Sequence, residues 1–377
     1  MVDFYSIIRE VWERERKSWA TDILFIFLFV LSLPYGMAVA FRNLLYDRGI
    51  IRQKKLPCHV ISVGNIAAGG TGKTPAVIML AKMLKGEGCR PVVLSRGYGG
   101  KRKKDVNIVS DGRTILMSNN EAGDEPFLIA ATLKEIPVIT GRRRHLTGSF
   151  AIKEFGADVL VLDDGFQHRA LYRDMDIVLA DSAAPFGNSR LLPCGNLRES
   201  PIYLKRADIV VLTGSSPGKE IETLPMLGSF PVGDWRVFCA CHKPLRVMRA
   251  NGGDIRPPDF LRGKKLFAFA GIGNPRSFIR TIEALKADLV AFLSFPDHHV
   301  FTRGDLETIR KQARKQQADL ILTTEKDGVR LLDFPDFLWE IFLLCIEMSF
   351  VPDGDGEAFK RLILQKLKRE CFTQLGK

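Results

Sequence analysis

The stretch from residue 58 to residue 85 constrains the fold more than any other. A short apolar run at 58–63 leads into Gly64-Asn65-Ile66-Ala67-Ala68-Gly69-Gly70-Thr71-Gly72-Lys73-Thr74-Pro75. Val77, Leu80, Ala81 and Leu84 then recur at helical spacing. A buried strand, a glycine-rich turn and a helix in that order form a phosphate cradle: successive backbone N–H groups face the anion and the helix dipole adds to them. The cradle comprises Ala67, Ala68, Gly69, Gly70, Thr71, Gly72, Lys73 and Thr74. Lys73 is placed to reach the outer phosphates of a nucleotide and the Thr74 hydroxyl to ligate Mg²⁺. Pro75 sits in the first helical turn, where its missing N–H costs nothing. Ala67 occupies the first glycine position of the common GxxxxGK[ST] pattern. The loop also resembles GGxGKT loops of partitioning and septum-site ATPases, which carry an extra Lys where this chain has Ala68.

Apolar runs and helical patterns alternate beyond the loop. Strands are predicted over 91–95, 136–140, 158–162, 176–180 and 208–213, with helices over 126–135 and 146–155 between some of them. This alternation argues for a parallel sheet covered on both faces. The run at 158–162 ends in Asp163-Asp164, and carboxylates at a strand's C-terminal end beside a phosphate loop are placed to hold Mg²⁺. Near 236–264 the texture changes to two short strands (237–241 and 245–250), an Asn-Gly-Gly turn and Pro257-Pro258, read as a thin linker. Strand and helix patterns then resume at 266–270, 276–285, 289–295, 303–315 and 320–324. An apolar run at 342–350 and a closing helix over 357–368 end the series. The expected architecture is α/β: a P-loop α/β/α domain over 46–235, a β-ribbon linker over 236–265, and a smaller α/β/α domain over 266–377 that closes a cleft.

At the N-terminus, residues 23–41 carry no charged side chain, and nineteen residues approach the length needed to cross a hydrocarbon core. Some 22 residues rich in charge precede the run, and no small-residue cleavage site follows it, so it is not a secretory signal. Residues 1–45 are accordingly expected to form a membrane-associated helical segment, bent or stopped at Pro34 and Gly36. Arg9, Arg14, Arg16 and Lys17 precede the run, and Arg42, Arg48, Arg52, Lys54 and Lys55 follow it. Positive charge on both flanks leaves orientation undecided, so a surface-lying or re-entrant anchor satisfies the pattern as well as a span. Over all 377 residues, 55 Lys and Arg against 43 Asp and Glu give a net charge of +12. That excess favours acidic partners. No nucleic-acid recognition motif accompanies it, and nothing points to an obligate protein partner. The seven cysteines form no CxxC pair and read as reduced thiols.

Further motifs occur in order: Ser95-Arg96-Gly97-Tyr98-Gly99, Gly123-Asp124-Glu125-Pro126, Asp163-Asp164-Gly165-Phe166-Gln167-His168 and Leu197-Arg198-Glu199. Gly271-Ile272-Gly273-Asn274-Pro275, Asp297-His298-His299 and Thr324-Glu325-Lys326-Asp327 follow. Together with the loop, the set resembles the tetraacyldisaccharide 4'-kinase family, the lipid A 4'-kinases of Gram-negative bacteria, over about residues 60–330. The chain departs from the family pattern where Ser200 separates the Arg-Glu pair from Pro201, and its charged N-terminal segment is longer than the family's. The resemblance implies ATP–Mg²⁺-dependent phosphorylation of the 4'-hydroxyl of a tetraacylated glucosamine disaccharide 1-phosphate at the cytoplasmic face of the bacterial inner membrane. It implies Asp124 as general base with His298 as its partner, Glu125, Asp163 and Asp164 serving Mg²⁺ beside Thr74, and Arg198 stabilising the transferring phosphate together with Lys73. The rival reading is a membrane-associated P-loop regulatory ATPase of the partitioning type; Ala68 and a second lobe bearing Asp297-His298-His299 count against it. His168 reads as a structural hydrogen-bonding residue, and Arg142–Arg144 and Lys101–Lys104 as solvated faces or contacts for an anionic group.

Overall fold

The computed structural model describes residues 12, 19–101, 104–215, 236–352 and 354–374. Helix α1 (Trp19–Asp47) precedes β1 (His59–Asn65), the glycine-rich loop and α2 (Lys73–Gly86). Next come β2 (Pro91–Ser95), β3 (Asn107–Ser110), α3 (Asn119–Ala122), α4 (Asp124–Thr132), β4 (Val138–Thr140) and α5 (Arg144–Phe155). Strands β5 (Val159–Asp163), β6 (Met175–Asp181), β7 (Ile209–Thr213) and β8 (Arg236–Arg249) follow. The second lobe holds β9 (Ile255–Arg256), β10 (Lys265–Ala270), α6 (Pro275–Ala284), β11 (Asp288–Ser294) and α7 (Arg303–Lys315). It continues through β12 (Leu320–Thr324), α8 (Glu325–Arg330), α9 (Pro335–Leu338) and β13 (Ile341–Val351) before α10 (Asp355–Gln374).

One sheet runs through both lobes in the order β11-β10-β12-β13-β8-β7-β6-β1-β5-β2-β4-β3, with β9 paired to β8. From β4 to β8 every neighbour is parallel, as is every neighbour from β11 to β13; the antiparallel β13–β8 pair joins the two halves. Here the structure corrects the expectation of two short strands. Residues 237–241 and 245–250 lie almost wholly in the single 14-residue strand β8. Between those two runs lies Pro244, which cannot donate to a ladder. It lies opposite Ile346, where the register shifts between Cys345 and Ile346. A bulge absorbs the proline, and the chain continues instead of turning back.

The parallel strands are apolar because helices cover both faces. Val77, Leu80 and Leu84 of α2 pack with Ile129 of α4 on one face of the sheet, and Ala151 of α5 packs with Leu94 and Leu160 on the other. The closing helix differs from expectation. Phe359, Ile363 and Leu367 of α10 join the core containing Val77 and Leu84, so α10 returns across the ribbon to the first lobe. Lys366 pairs with Asp208, and Lys360 with Glu87 at 3.3 Å, in that position. Each such buried apolar side chain contributes about 1.5–3 kcal/mol.

The predicted break at Pro34 is also corrected, since α1 runs unbroken from Trp19 to Asp47. Docking along the body holds it together. Gly36 approaches Leu191 so closely that a Cβ would lie 2.9 Å from Leu191 Cδ1, while Leu28 is buried with Cys194. The opposite face exposes Ile23, Ile26, Phe27, Val30, Met37 and Phe41, and α1 is long and apolar enough to cross a membrane. The basic cluster Arg9, Arg14, Arg16 and Lys17 lies outside the described residues, as do Arg102 and Lys103. Six cysteines, from Cys58 to Cys345, are free thiols.

Candidate active site

The loop is held in place from both flanks. Asn65 Nδ2 donates to Thr71 Oγ1 at 2.9 Å, and Thr213 Oγ1 donates to the Thr71 carbonyl at 3.1 Å. Gly72, at φ 78°, takes the left-handed conformation that turns the chain into α2. The segment 196–198 runs beside the loop: Ala68 N donates to Asn196 O, and Arg198 N donates to Ile66 O, both at 2.7 Å. Ala67 and Ala68 are therefore tied to the protein, and the residues that open onto the cavity run from Gly69 to Thr74. The same tether delivers Arg198. Its Nη1 donates to both carboxylate oxygens of Asp164 at 2.8 Å, and Lys73 Nζ lies 3.8 Å from the same carboxylate.

Asp163 and Asp164 share the end of β5 but behave differently. Asp163 is buried, accepts a hydrogen bond from Ser95 Oγ at 2.8 Å, and has its pKa pushed up to about 6 by burial and then by Asp164. Burial would raise Asp164 too, yet Lys73 and Arg198 outweigh it and hold that carboxyl below the usual range. Lys73 in turn is lowered by its own burial, with Asp164 opposing. Two crowded carboxylates with the Thr74 hydroxyl nearby are a hard oxygen donor set that suits Mg²⁺. Among the described residues no three His, Cys, Asp or Glu side chains form a metal cage. A nucleotide-bound Mg²⁺ needs only one or two carboxylates, phosphate oxygens and water. Glu125 lines the same cavity, and its Oε1 is 2.7 Å from Lys326 Nζ and 3.5 Å from His298 Nε2.

Across the cleft, Asp124 and His298 meet. Gly123, at φ 91° and ψ 155°, starts α4, and Asp124 occupies its first position. Asp124 Oδ2 lies 3.2 Å from His298 Nδ1 and accepts a hydrogen bond of 2.6 Å from Arg330 Nε. Burial would raise the Asp124 pKa, but His298 and Arg330 overcome it and keep the carboxyl far below its ordinary value. His298 adopts φ 60°, which turns its ring into the cleft. His299 instead stacks on Phe295, with ring centroids 4.7 Å apart, and contacts Asp305 at 3.1 Å. The adjacent histidines are thereby separated into a cleft residue and a partly buried residue packed on Phe295.

Arg330 escaped sequence reasoning. It is buried and also bonds Asp327 Oδ1 at 2.9 Å and the Gly271 carbonyl. The available signal was its position three residues after Asp327 on the short helix that opens with Thr324-Glu325-Lys326-Asp327. Lys326 reaches Glu125, Asp297 at 3.4 Å and His298 Nε2 at 3.5 Å. The Gly271–Asn274 turn of the second lobe abuts the loop, since a Cβ on Gly273 would lie 3.0 Å from Gly70 N. The cavity between the lobes has a volume of about 1370 Å³ and contains Lys73, Thr74, Glu125, Asp163, Asp164 and His298 in its walls. Burial and then Arg144, Arg173 and Arg96 push the His168 pKa down to about 4.

A phosphate loop after an interior strand, paired strand-end carboxylates and a carboxylate–imidazole pair contributed by opposite lobes define a two-lobed P-loop phosphotransferase. The chain belongs to the tetraacyldisaccharide-1-P 4'-kinase family, whose model matches residues 24–368. It is 47% identical over 373 residues to a tetraacyldisaccharide 4'-kinase of Syntrophus aciditrophicus, covering 96% of this chain and 98% of the relative. It is 40% identical to one of Anaeromyxobacter dehalogenans, covering 86% of each. A crystal structure of LpxK from Aquifex aeolicus in complex with ATP superposes with a TM-score of 0.72 at 34% identity, covering 91% of this chain and 99% of that one.

Proposed function

We propose that this chain transfers the γ-phosphate of ATP to the 4'-hydroxyl of a tetraacyldisaccharide 1-phosphate. The observation that carries the reading is the meeting of Asp124 and His298, 174 residues apart, across a cleft that also holds the phosphate loop. Phosphoryl transfer needs positioning and charge neutralisation more than covalent chemistry. The backbone from Gly69 to Thr74 and the Lys73 ammonium bind the phosphates. Asp163, Asp164 and Thr74 would hold Mg²⁺, which would supply charge neutralisation at the phosphates. Arg198, delivered beside Lys73 by the loop tether, stabilises the transferring group.

Asp124 acts as the hydrogen-bond acceptor that orients the sugar hydroxyl and takes its proton. Arg330 keeps it ionised, which makes it a weak base but a constant acceptor. That suits a loose transition state in which the proton leaves late. His298 fixes the carboxylate from the second lobe, so the pair assembles only with the lobes together, limiting transfer to water. Arg96, which lines the cavity, is placed for a second anionic group on the acceptor.

The chain associates with a membrane through the exposed apolar face of α1, at the cytoplasmic leaflet of the inner membrane where ATP is available. Its net charge of +12 suits an anionic leaflet. The test is transfer of labelled γ-phosphate to purified tetraacyldisaccharide 1-phosphate in detergent. A doubly phosphorylated disaccharide is the expected product. No labelled lipid from folded protein, or equal labelling of an acceptor lacking the 4'-hydroxyl, would overturn the assignment.

A further inference from the structure

His242 lies on β8 opposite Met348, at the junction of the two lobes, and is absent from every motif named above. Its ring is tucked against the phosphate loop: a Cβ built on Gly72 would lie 2.6 Å from His242 Nε2 and 3.0 Å from Cε1. That contact gives Gly72 a second reason to be glycine, besides its φ of 78°. His242 borders the same cavity as Gly69–Thr74. Its Nε2 is buried and has no hydrogen-bond partner. Burial lowers the imidazole pKa, with Asp181 opposing, so the ring is neutral at physiological pH and carries one donor and one acceptor nitrogen. Buried polar atoms in folded proteins are nearly always satisfied. An unsatisfied nitrogen at the edge of an anion-binding loop is met by the anion, through the tautomer that carries its proton on Nε2.

We propose that His242 is a nucleotide-positioning residue: its Nε2–H donates to an oxygen of ATP held on the Gly69–Thr74 loop. The proposal rests on the reading that this loop binds ATP and adds a contact from the inter-lobe ribbon. Because β8 joins β7 of the first lobe to β13 of the second, the same hydrogen bond ties the nucleotide to the strand that links the lobes.

The experiment measures the ATP dissociation constant, KM for ATP, KM for the lipid acceptor and kcat in the full-length protein, with melting curves for each variant. His242→Phe keeps a ring and removes the donor; His242→Gln places an amide donor near the Nε2 position. A lost hydrogen bond to a charged group changes binding by roughly tenfold. His242→Phe is expected to raise the ATP dissociation constant and KM for ATP by about that factor, leaving kcat and lipid KM within about twofold. His242→Gln should return both ATP constants to within about threefold of wild type. Should the phenylalanine variant not fold, His242→Met serves as the donor-free variant. Unchanged ATP constants in the donor-free variant, or an equal loss in the phenylalanine and glutamine variants, would overturn the proposal. Wild type that bound no ATP would overturn the reading of the loop itself.

Discussion

Asp163 combines a structural liability with a proposed role in metal binding, so removing its charge should improve the fold while impairing the reaction. Its pKa rises from an ordinary value of 3.8 to about 6, with burial the leading cause and Asp164 the next. A raised carboxyl pKa means that the folded state binds the proton more tightly than the unfolded chain. The contribution is therefore fully present below pH 3.8, declines as pH rises towards 6, and is gone above about pH 7. The gap of about two pH units, at about 1.4 kcal/mol each, amounts to about 3 kcal/mol. Asp163→Asn mimics the protonated form and keeps an acceptor for Ser95 Oγ. Without Mg²⁺ at pH 7.5 it should melt several degrees above wild type, and the difference should shrink as pH falls through 6. Wild type should gain far more stability from Mg²⁺–ATP than the variant, and phosphoryl transfer by the variant should fall at least a hundredfold. Thermal melts from pH 5 to 8, with and without Mg²⁺–ATP, test this directly. A metal-free variant less stable than wild type at pH 7.5, or a difference independent of pH, would show that the buried Asp163 charge does not destabilise the fold.

Arg330→Met leaves the buried Asp327 and the partly buried Asp124 without their guanidinium partner, at an expected cost of about 3–5 kcal/mol. It also raises the Asp124 pKa, so loss of activity on acidification should begin at higher pH than in wild type; melting curves and a pH–rate profile test the pair of effects. Gly64→Ala puts a Cβ 2.7 Å from Phe166 Cβ and 2.8 Å from its backbone N. It should destabilise by roughly 1–3 kcal/mol and weaken ATP binding by displacing the adjoining Asp163–Phe166 turn, as read by denaturant titration and equilibrium binding. Replacing the exposed Ile26 and Phe27 together with Glu should reduce sedimentation with anionic vesicles severalfold and leave ATP affinity unchanged.

Local grammar carried much of this fold. The 58–85 pattern gave β1, the loop and α2 because a buried strand, paired glycines and i, i+3, i+4 spacing are all short-range signals. Asp163 and Asp164 were legible at a strand end, as was the alternation that builds the parallel sheet. Long-range effects were not legible. The single strand β8 was not legible because the partner against which it bulges at Pro244, β13, lies a hundred residues away. Pro34 looked like a helix stop because the docking of α1 on Leu191 and Cys194 is tertiary. Phe359, Ile363 and Leu367 carry no mark of which lobe they cover. The pairing of Asp124 with His298 came from resemblance, and spacing alone would not have joined residues so far apart. Arg330 was invisible because a buried arginine is recognised by its partners, and those come from three separate segments.

Asp124 and His298 are proposed to form one reaction unit across the cleft. Steady-state phosphoryl transfer by Asp124→Asn, His298→Gln and the double variant, with ATP binding measured alongside, tests it most directly. The expected result is a loss of at least a hundredfold in kcat for Asp124→Asn, a smaller loss for His298→Gln, and a double variant scarcely worse than Asp124→Asn, all with near-normal ATP affinity. Losses that multiply independently, or near-wild-type transfer by Asp124→Asn, would contradict it.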